Sequence, residues 1–315
     1  MKVVGFHSNE LNIRGTNVAL YDYALYNEEL LGNKSYIISN ANSDLTALKK
    51  FQDRFDVFLY NEFKDSYKFA KEKDIEYVYY VKAGDRDGKE IPNTKSLIHA
   101  VFQHKDPHGD AYAYISKWLA IKMDMPEQYI PYIVTLPAPK LNYRKKLNIP
   151  DNTIVIGRHG GYTEFDLPFV HNAVYKTAQT RDDIIFLFMN TQQFAPAHKN
   201  IIHVNSTYDL QNKSNFIDTC DYMLHGRNMG ESFGLAVGEF LYNDKPVISW
   251  TGGNDQNHRE ILKDKGVWYS SYEELLNTLT NIQKSTASVK TYSNLVKDYS
   301  PERVMIRFND IFLSV

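Results

Sequence analysis

The residue types that could do chemistry gather in Gly226-Arg227-Asn228-Met229-Gly230-Glu231-Ser232-Phe233-Gly234-Leu235-Ala236-Val237-Gly238-Glu239. This text runs from the end of an expected strand through a glycine-bearing loop into an expected helix. Such a junction points backbone N–H groups and the positive end of a helix dipole at whatever lies above it, which suits a phosphate. Glu231 and Glu239 lie just over two helical turns apart, so both carboxylates are expected to face one side. A carboxylate beside a diphosphate repels it unless its oxygens accept from hydroxyls, and the vicinal hydroxyls of a hexose or a ribose are donors of that kind. The plainer alternative makes Glu231 a favourable charge at a helix start and Glu239 part of a solvated face. The residues alone leave both readings open.

The elements that must position this text alternate along the chain. Lys2–His7 reads as a strand, Thr16–Leu31 as a helix capped by Thr16 and stopped by Gly32, then Tyr36–Ser39, Asp56–Tyr60 and Tyr77–Lys82 as strands. Helices over Leu45–Arg54 and Phe63–Lys73 separate them, and short strands over Leu97–Phe102 and Ala111–Ser116 follow. Right-handed crossovers then give a parallel sheet whose ligand crevice lies at the carboxyl ends of its strands, where the loop Asn9–Gly15 falls. The proline-rich passage Ile130–Pro139 reads as a linker. The alternation restarts with strands over Thr153–Gly157, Ile184–Met189, Ile201–Val204, Tyr222–His225 and Pro246–Trp250, and helices over Phe169–Thr180, Leu210–Cys220 and Phe233–Tyr242. Tyr272–Gln283 and Pro301–Ser314 read as closing helices. Two α/β lobes with a cleft between them are expected, and such a cleft is a common place for a small-molecule site.

Composition narrows the partners. Lys plus Arg at 36 nearly balances Asp plus Glu at 38, so no overall field favours a polyanion, and nucleic acid is not expected as a partner. Cys220 is the single cysteine, which excludes an internal disulfide, and the text Met1–Leu11 lacks a secretory apolar core. A cytoplasmic protein is expected, with membrane contact at most peripheral, since no run approaches a membrane span and the mean hydropathy is −0.46. The 23 tyrosines and 17 phenylalanines supply flat surface for bases and sugars as well as ordinary packing, and Tyr162, Phe194 and Tyr208 are candidates for stacking.

Glu231-Ser-Phe-Gly-Leu-Ala-Val-Gly-Glu239, followed by Asn243-Asp-Lys-Pro-Val-Ile-Ser249, resembles the Glu-x7-Glu signature and the next strand of retaining GT-B glycosyltransferases, especially family four. Ile154–His159 resembles the first strand of that family's C-terminal lobe, Arg14-Gly15 occupies the place of its N-lobe glycine loop, and Pro301–Ser314 is similar to its terminal helix that crosses back. The resemblance implies two Rossmann-like α/β lobes with an interlobe cleft. The N-terminal acceptor-side lobe would span residues 1–140 with the helix 301–315, and the C-terminal nucleotide-sugar lobe residues 141–300. It implies transfer of a sugar from a nucleoside-diphosphate sugar to a glycan, polysaccharide, lipid-linked sugar or other hydroxyl acceptor, with retention of configuration, no cofactor and no essential metal.

Carried onto this sequence, the resemblance places Glu231 at the donor sugar and Glu239 at the ribose. The amides of Phe233, Gly234 and Leu235 would meet the diphosphate, Gly15, His159, Gly160, Gly161 and Ser232 would join them in binding the donor nucleotide, and Arg158 would neutralise the leaving group. His99 is matched to a histidine near the donor sugar, and His104 and His108 are assigned to the acceptor. One departure stands out: no lysine follows Arg158 in His159-Gly160-Gly161-Tyr162-Thr163-Glu164-Phe165-Asp166, which motivates the alternative of a non-catalytic nucleotide- or glycan-binding protein. An epimerase acting on the nucleotide-sugar itself is a third reading. Asp85-Arg86-Asp87 after a strand could hold a divalent cation through oxygen ligands, but its glycine- and charge-rich neighbours read as an exposed turn. Zinc spacings, Gly-x-Ser-x-Gly and Walker-type loops do not occur.

Overall fold

The computed structural model describes residues 1–284 and 291–315. The chain divides into two compact units, Met1–Ile133 with Asp298–Val315, and Val134–Lys297, so the division falls within the proline-rich passage.

The first unit alternates β1 (Val3–Ser8), α1 (Gly15–Glu29), β2 (Lys34–Asn40), α2 (Leu48–Gln52), β3 (Asp56–Tyr60), α3 (Asp65–Glu72) and β4 (Tyr77–Lys82), then adds β5 (Lys95–Ala100), β6 (Ala111–Tyr114) and α4 (Lys117–Lys122). Its strands pair in parallel in the order β3-β2-β1-β4-β5-β6. A parallel sheet covered on both faces needs strands apolar on both sides, and β4, Tyr-Val-Tyr-Tyr-Val-Lys, is buried over its first five residues. The helix α1 begins one residue before the expected cap. Asn12 Oδ1 accepts from Arg14 N and so sets up a turn whose Arg14 carbonyl takes the Asn17 and Val18 N–H groups, making Arg14 rather than Thr16 the cap residue.

The terminal helix α10 (Pro301–Phe308), continued by a wider turn over Asn309–Leu313, belongs to this first unit. Phe308 stacks on Tyr23 with centroids 5.2 Å apart and on Phe6 at 6.3 Å, and Phe312 meets Tyr79 and His99 edge-on. This aromatic knot packs the core of the first unit.

The second unit contains β7 (Ile154–Arg158), α5 (Pro168–Thr180), β8 (Ile184–Met189), β9 (Ile201–Val204), α6 (Leu210–Thr219), β10 (Tyr222–His225), β11 (Gly230–Glu231), α7 (Leu235–Tyr242), β12 (Val247–Trp250), β13 (Asp255–Gln256), α8 (Asn257–Leu262), β14 (Val267–Tyr269) and α9 (Tyr272–Asn281). Its six-stranded parallel sheet runs β14-β12-β10-β7-β8-β9, and β11 pairs with β13 outside it. Both sheets have the 3-2-1-4-5-6 order of a dinucleotide-binding domain, so the fold is two Rossmann-like α/β domains. β8, Ile-Ile-Phe-Leu-Phe-Met, is buried at every position and forms the centre of the core with Phe165, Val170 and Leu224. Strand β14 and helix α8 lie in a stretch that the sequence reading left without an element. Among the described residues, no helix is long and apolar enough to cross a membrane.

Three buried histidines tie stability to pH. His7 and His99 in the first unit and His258 in the second are each lowered from the ordinary 6.5 to about 3, chiefly by burial. Between those values the unfolded chain takes up protons that the folded chain refuses, so stability is full above pH 6.5 and falls as the solution is acidified towards pH 3, by up to ~1.4 kcal/mol per pH unit per histidine. Thermal unfolding followed from about pH 7.5 down to about pH 5 should show a steadily falling Tm below neutrality; a flat profile would contradict the burial of these rings as neutral groups.

Candidate functional site

In the second sheet the strand order reverses between β7 and β10, and in open α/β sheets ligands bind in the crevice outside the carboxyl ends at such a point. β7 ends in Arg158 and β10 ends in His225, so the segments that leave them meet there.

Arg158 is 5% exposed and its guanidinium must find partners inside. Nη1 donates to Thr191 Oγ1 at 2.6 Å, Nη2 donates to the Gly161 carbonyl at 3.0 Å, and the group lies over the Phe165 ring at 5.6 Å. Burial pulls this guanidinium down to about 10, against the raising influence of Glu164 and Glu231. Gly160 leaves room for this arrangement, since a Cβ there would stand 2.9 Å from Arg158 Nη2.

Glu231 sits in the short strand β11, whose pairing with β13 sets Glu231 opposite Gln256 and so fixes its backbone. Its Oε2 accepts from Arg227 Nη1 at 3.0 Å, its Oε1 lies 3.3 Å from His225 Nε2, and Arg227 Nη2 reaches Glu164 at 3.2 Å. Burial pushes the Glu231 carboxyl up, but His225 and Arg227 outweigh it and hold the group at about 2, so it is a carboxylate at any ordinary pH. A carboxylate offers about four acceptor positions; the Arg227 bond fills one and the His225 ring faces a second. Immediately after it, Gly234 adopts φ +92° as the cap of α7, a left-handed conformation that favours glycine, and no acidic residue lies in the first helical turn. Asn257 Nδ2 donates to the Phe233 carbonyl at 2.6 Å and braces the turn, while Ser232 and Phe233 are buried and Leu235 opens the helix.

Glu239 is placed differently from Glu231. It is 2% exposed, with Oε1 accepting from Lys213 Nζ at 2.7 Å and Oε2 3.1 Å from His159 Nε2, whose ring stacks on Phe240 at 5.5 Å. Burial raises this carboxyl, yet Lys213 and His159 bring it to about 2. His159 itself is lowered, mainly by burial. The carboxylate expected at a ribose is thus the centre of a buried Lys213–Glu239–His159 cluster, because α6 and α7 bring a cation and an anion together beneath the loop that follows β7.

In the first unit, His99 is wholly buried, with Nδ1 2.7 Å from Tyr79 Oη and Nε2 2.9 Å from the Ile130 carbonyl. This corrects the expectation of a sugar-facing imidazole, since β5 is a central strand and both ring nitrogens are already bonded within the unit. His104 contributes its backbone carbonyl to Tyr114 Oη at 2.7 Å, and His108 is buried with Nδ1 2.7 Å from the Asp106 carbonyl. Gly15 opens α1. Asp87 accepts from Lys82 Nζ at 2.7 Å, and no group of three or more His, Cys, Asp or Glu is arranged to hold a metal among the described residues. Of the three aromatic candidates, Phe194 packs against Phe165, Phe188 and His171, whereas Tyr162 and Tyr208 are exposed.

The structure therefore gathers Arg158, Glu231 and the start of α7 and separates His99 from any opening. It adds His225, Arg227, Thr191, Lys213 and His258, which the sequence reading assigned no role. Two Rossmann-like α/β domains in one chain, together with the solved structures of like fold that follow, make this a GT-B fold. Neither a protein-family model nor a curated protein matches the sequence. Among solved structures, HepE from Anabaena in complex with UDP-glucose is similar at 13% identity over all of both chains, with a TM-score of 0.77. AviGT4, a glycosyltransferase involved in avilamycin A biosynthesis, is 12% identical over 99% of this chain and 97% of that one, at a TM-score of 0.63. A sucrose-phosphate synthase from Thermosynechococcus elongatus is 12% identical over 100% and 97%, at 0.60. At these identities the likeness establishes the fold.

Proposed function

We propose that this chain is a glycosyltransferase that moves a sugar from a nucleoside-diphosphate sugar to a hydroxyl-bearing acceptor, with retention of configuration and without an essential metal. The observation that carries the reading is the Glu231 carboxylate at the switch point of the second sheet, ionised, braced by Arg227 and His225, and keeping two acceptor positions for two neighbouring sugar hydroxyls. The first turn of α7 supplies backbone N–H groups and a positive dipole end for the diphosphate. Arg158 and Arg227 supply fixed positive charge where the departing diphosphate gains negative charge. We assign Glu239 to bracing His159 and the following loop, since only 3% of its side chain is exposed, against 19% for Glu231, and its oxygens face Lys213 and His159. The leaving phosphate helps to take the acceptor's proton, and configuration at the anomeric carbon of the product, read by NMR, tests retention.

The solved structures of like fold include one in complex with UDP-glucose, which makes a uridine donor the first to try. A thermal-shift panel of UDP, GDP, ADP, dTDP and CMP, each with Mg²⁺ or with EDTA, tests the donor site, because a ligand that binds only the folded state raises its Tm. One nucleoside diphosphate should stabilise the protein equally in both buffers, by about 2.7 kcal/mol at a hundredfold excess over its Kd. Stabilisation that requires Mg²⁺ would shift the assignment to Asp85 and Asp87, and no shift with any nucleotide would overturn it.

One observation favours a second reading. Three protein acceptors already take Arg158, the Asn190 carbonyl at 3.4 Å being the third, and no lysine lies in the stretch His159–Asp166 after it. A non-catalytic binding protein would show nucleotide stabilisation without donor consumption in the presence of any acceptor.

A further inference from the structure

Glu231 belongs to a two-residue strand and the loop around it, so nothing in regular structure fixes the rotation of its carboxylate. Arg227 holds one oxygen from the same loop. What holds the other comes from the sheet. His225 closes β10, and its backbone carbonyl accepts from Tyr269 Oη at 2.6 Å, which anchors the residue to β14. Its ring is 4% exposed, with Nε2 3.3 Å from Glu231 Oε1 and Nδ1 3.0 Å from Ser249 Oγ in β12.

The protonation pattern of this chain follows from chemistry. An ionised carboxylate only accepts, so the ring nitrogen that faces it must carry the proton; in the neutral ring the nitrogen that faces Ser249 is then the bare acceptor, and the serine hydroxyl donates to it at 3.0 Å in preference to the Trp250 carbonyl at 3.4 Å. His258 packs behind, its ring 4.8 Å from that of His225. Its Nε2 faces the Trp250 carbonyl at 3.0 Å and so carries a proton, leaving its buried Nδ1 a lone pair that donates nothing to Glu231. Thus, of the two imidazoles here, only His225 serves as a donor to the carboxylate. At 3.3 Å the contact is long, and Nε2 is a buried nitrogen that completes no other hydrogen bond.

We propose that His225 is a positioning residue for the donor-sugar carboxylate: Nε2–H holds Glu231 Oε1, the Ser249 hydroxyl fixes that tautomer by donating to Nδ1, and the remaining lone pairs of Glu231 are thereby aimed at two vicinal hydroxyls of the donor. The proposal rests on the glycosyltransferase reading for its consequence but not for its tautomer. The groups that face the ring are Glu231 from β11, Ser249 from β12 and His258 from α8, and Arg227 from the intervening loop shares the Glu231 carboxylate.

Two experiments test it. Long-range ¹H–¹⁵N correlation spectra of ¹⁵N-histidine protein report the tautomer without any substrate; the Nε2–H form is expected for His225 in the wild type, with a mixture in Ser249→Ala. The Nδ1–H form in the wild type would overturn the proposal even if the glycosyltransferase reading stands. In kinetics, His225→Leu should lower kcat/KM by about 100-fold while nucleoside-diphosphate stabilisation persists, and His225→Gln, which returns an N–H near the Nε2 position, should recover at least about tenfold of that loss. The acid limb of the rate profile should move to higher pH in His225→Leu, because Glu231 loses a donor that keeps it ionised. Equal loss in both variants with an unmoved acid limb would make His225 merely structural, whereas absence of nucleotide binding and turnover in the wild type would sink the glycosyltransferase reading itself.

Discussion

Glu231→Gln should lower turnover by about 100- to 1,000-fold, the range found when one preorganised electrostatic contact to a reacting group is removed, while leaving nucleoside-diphosphate stabilisation in place. The substitution preserves volume and one acceptor oxygen. It removes the charge that orients two sugar hydroxyls, and it replaces one acceptor oxygen with an NH2 that either confronts Arg227 Nη1 or turns towards His225 Nε2–H. Arg227 retains Glu164 at 3.2 Å, so the arginine is not abandoned and the fold should survive. The separation of effects is the informative part: the diphosphate is assigned to α7 and the arginines, the sugar to Glu231. Steady-state transfer together with a thermal shift against the best nucleotide measures both at once. Unchanged turnover would remove Glu231 from the reaction, and joint loss of nucleotide binding would mean that the two subsites are not separable as proposed.

How far this site could be read from sequence depended on whether a residue's role was local. The alternating strands and helices were legible because buried parallel strands such as Tyr77–Lys82 and Ile184–Met189 are apolar on both faces and the helices between them are not. Glu231, Gly234 and Arg158 were legible because a strand end, a glycine loop and a helix start follow one another in the chain. The strand β14 was not, since Val-Trp-Tyr is only three residues long after Lys263-Asp264-Lys265 and becomes a strand only by pairing with Ile248–Trp250 of β12. His225 and His258 were missed for the same reason, because their rings meet only when β10, β12 and α8 are assembled. His99 was misjudged because a polar residue on a strand says nothing about which side of the sheet is covered; here Tyr23, Tyr132 and Phe312 enclose it. One signal was available and carried no role in the reading: Lys213, Phe216 and Ile217 fall on one helical stripe of α6, so a lysine on the apolar face implied a buried carboxylate somewhere to meet it.

That carboxylate is Glu239, and Lys213→Met should destabilise the second unit by about 3–5 kcal/mol, the cost of leaving a buried charge without its partner. Methionine keeps most of the stem volume, so the loss is electrostatic rather than a cavity. Glu239 would retain only His159, which is itself disfavoured as a cation by burial, and the carboxyl should respond by taking up a proton. This gives the effect a sign with pH. In the wild type the carboxyl is held at about 2, below its unfolded value of 4.5, so it contributes stability above pH 4.5 that is lost on acidification towards pH 2. In Lys213→Met the folded value rises above the unfolded one, the folded state becomes the better proton binder, and the deficit relative to wild type should shrink as the pH is lowered. The double variant Lys213→Met with Glu239→Gln removes the orphaned charge and should recover most of the stability, which additive single effects would not allow. If chemical denaturation finds the double variant no better than Lys213→Met alone, the cluster is held by packing around Phe216 and Phe240 rather than by charge, and the bracing of the loop after β7 through His159 loses its foundation.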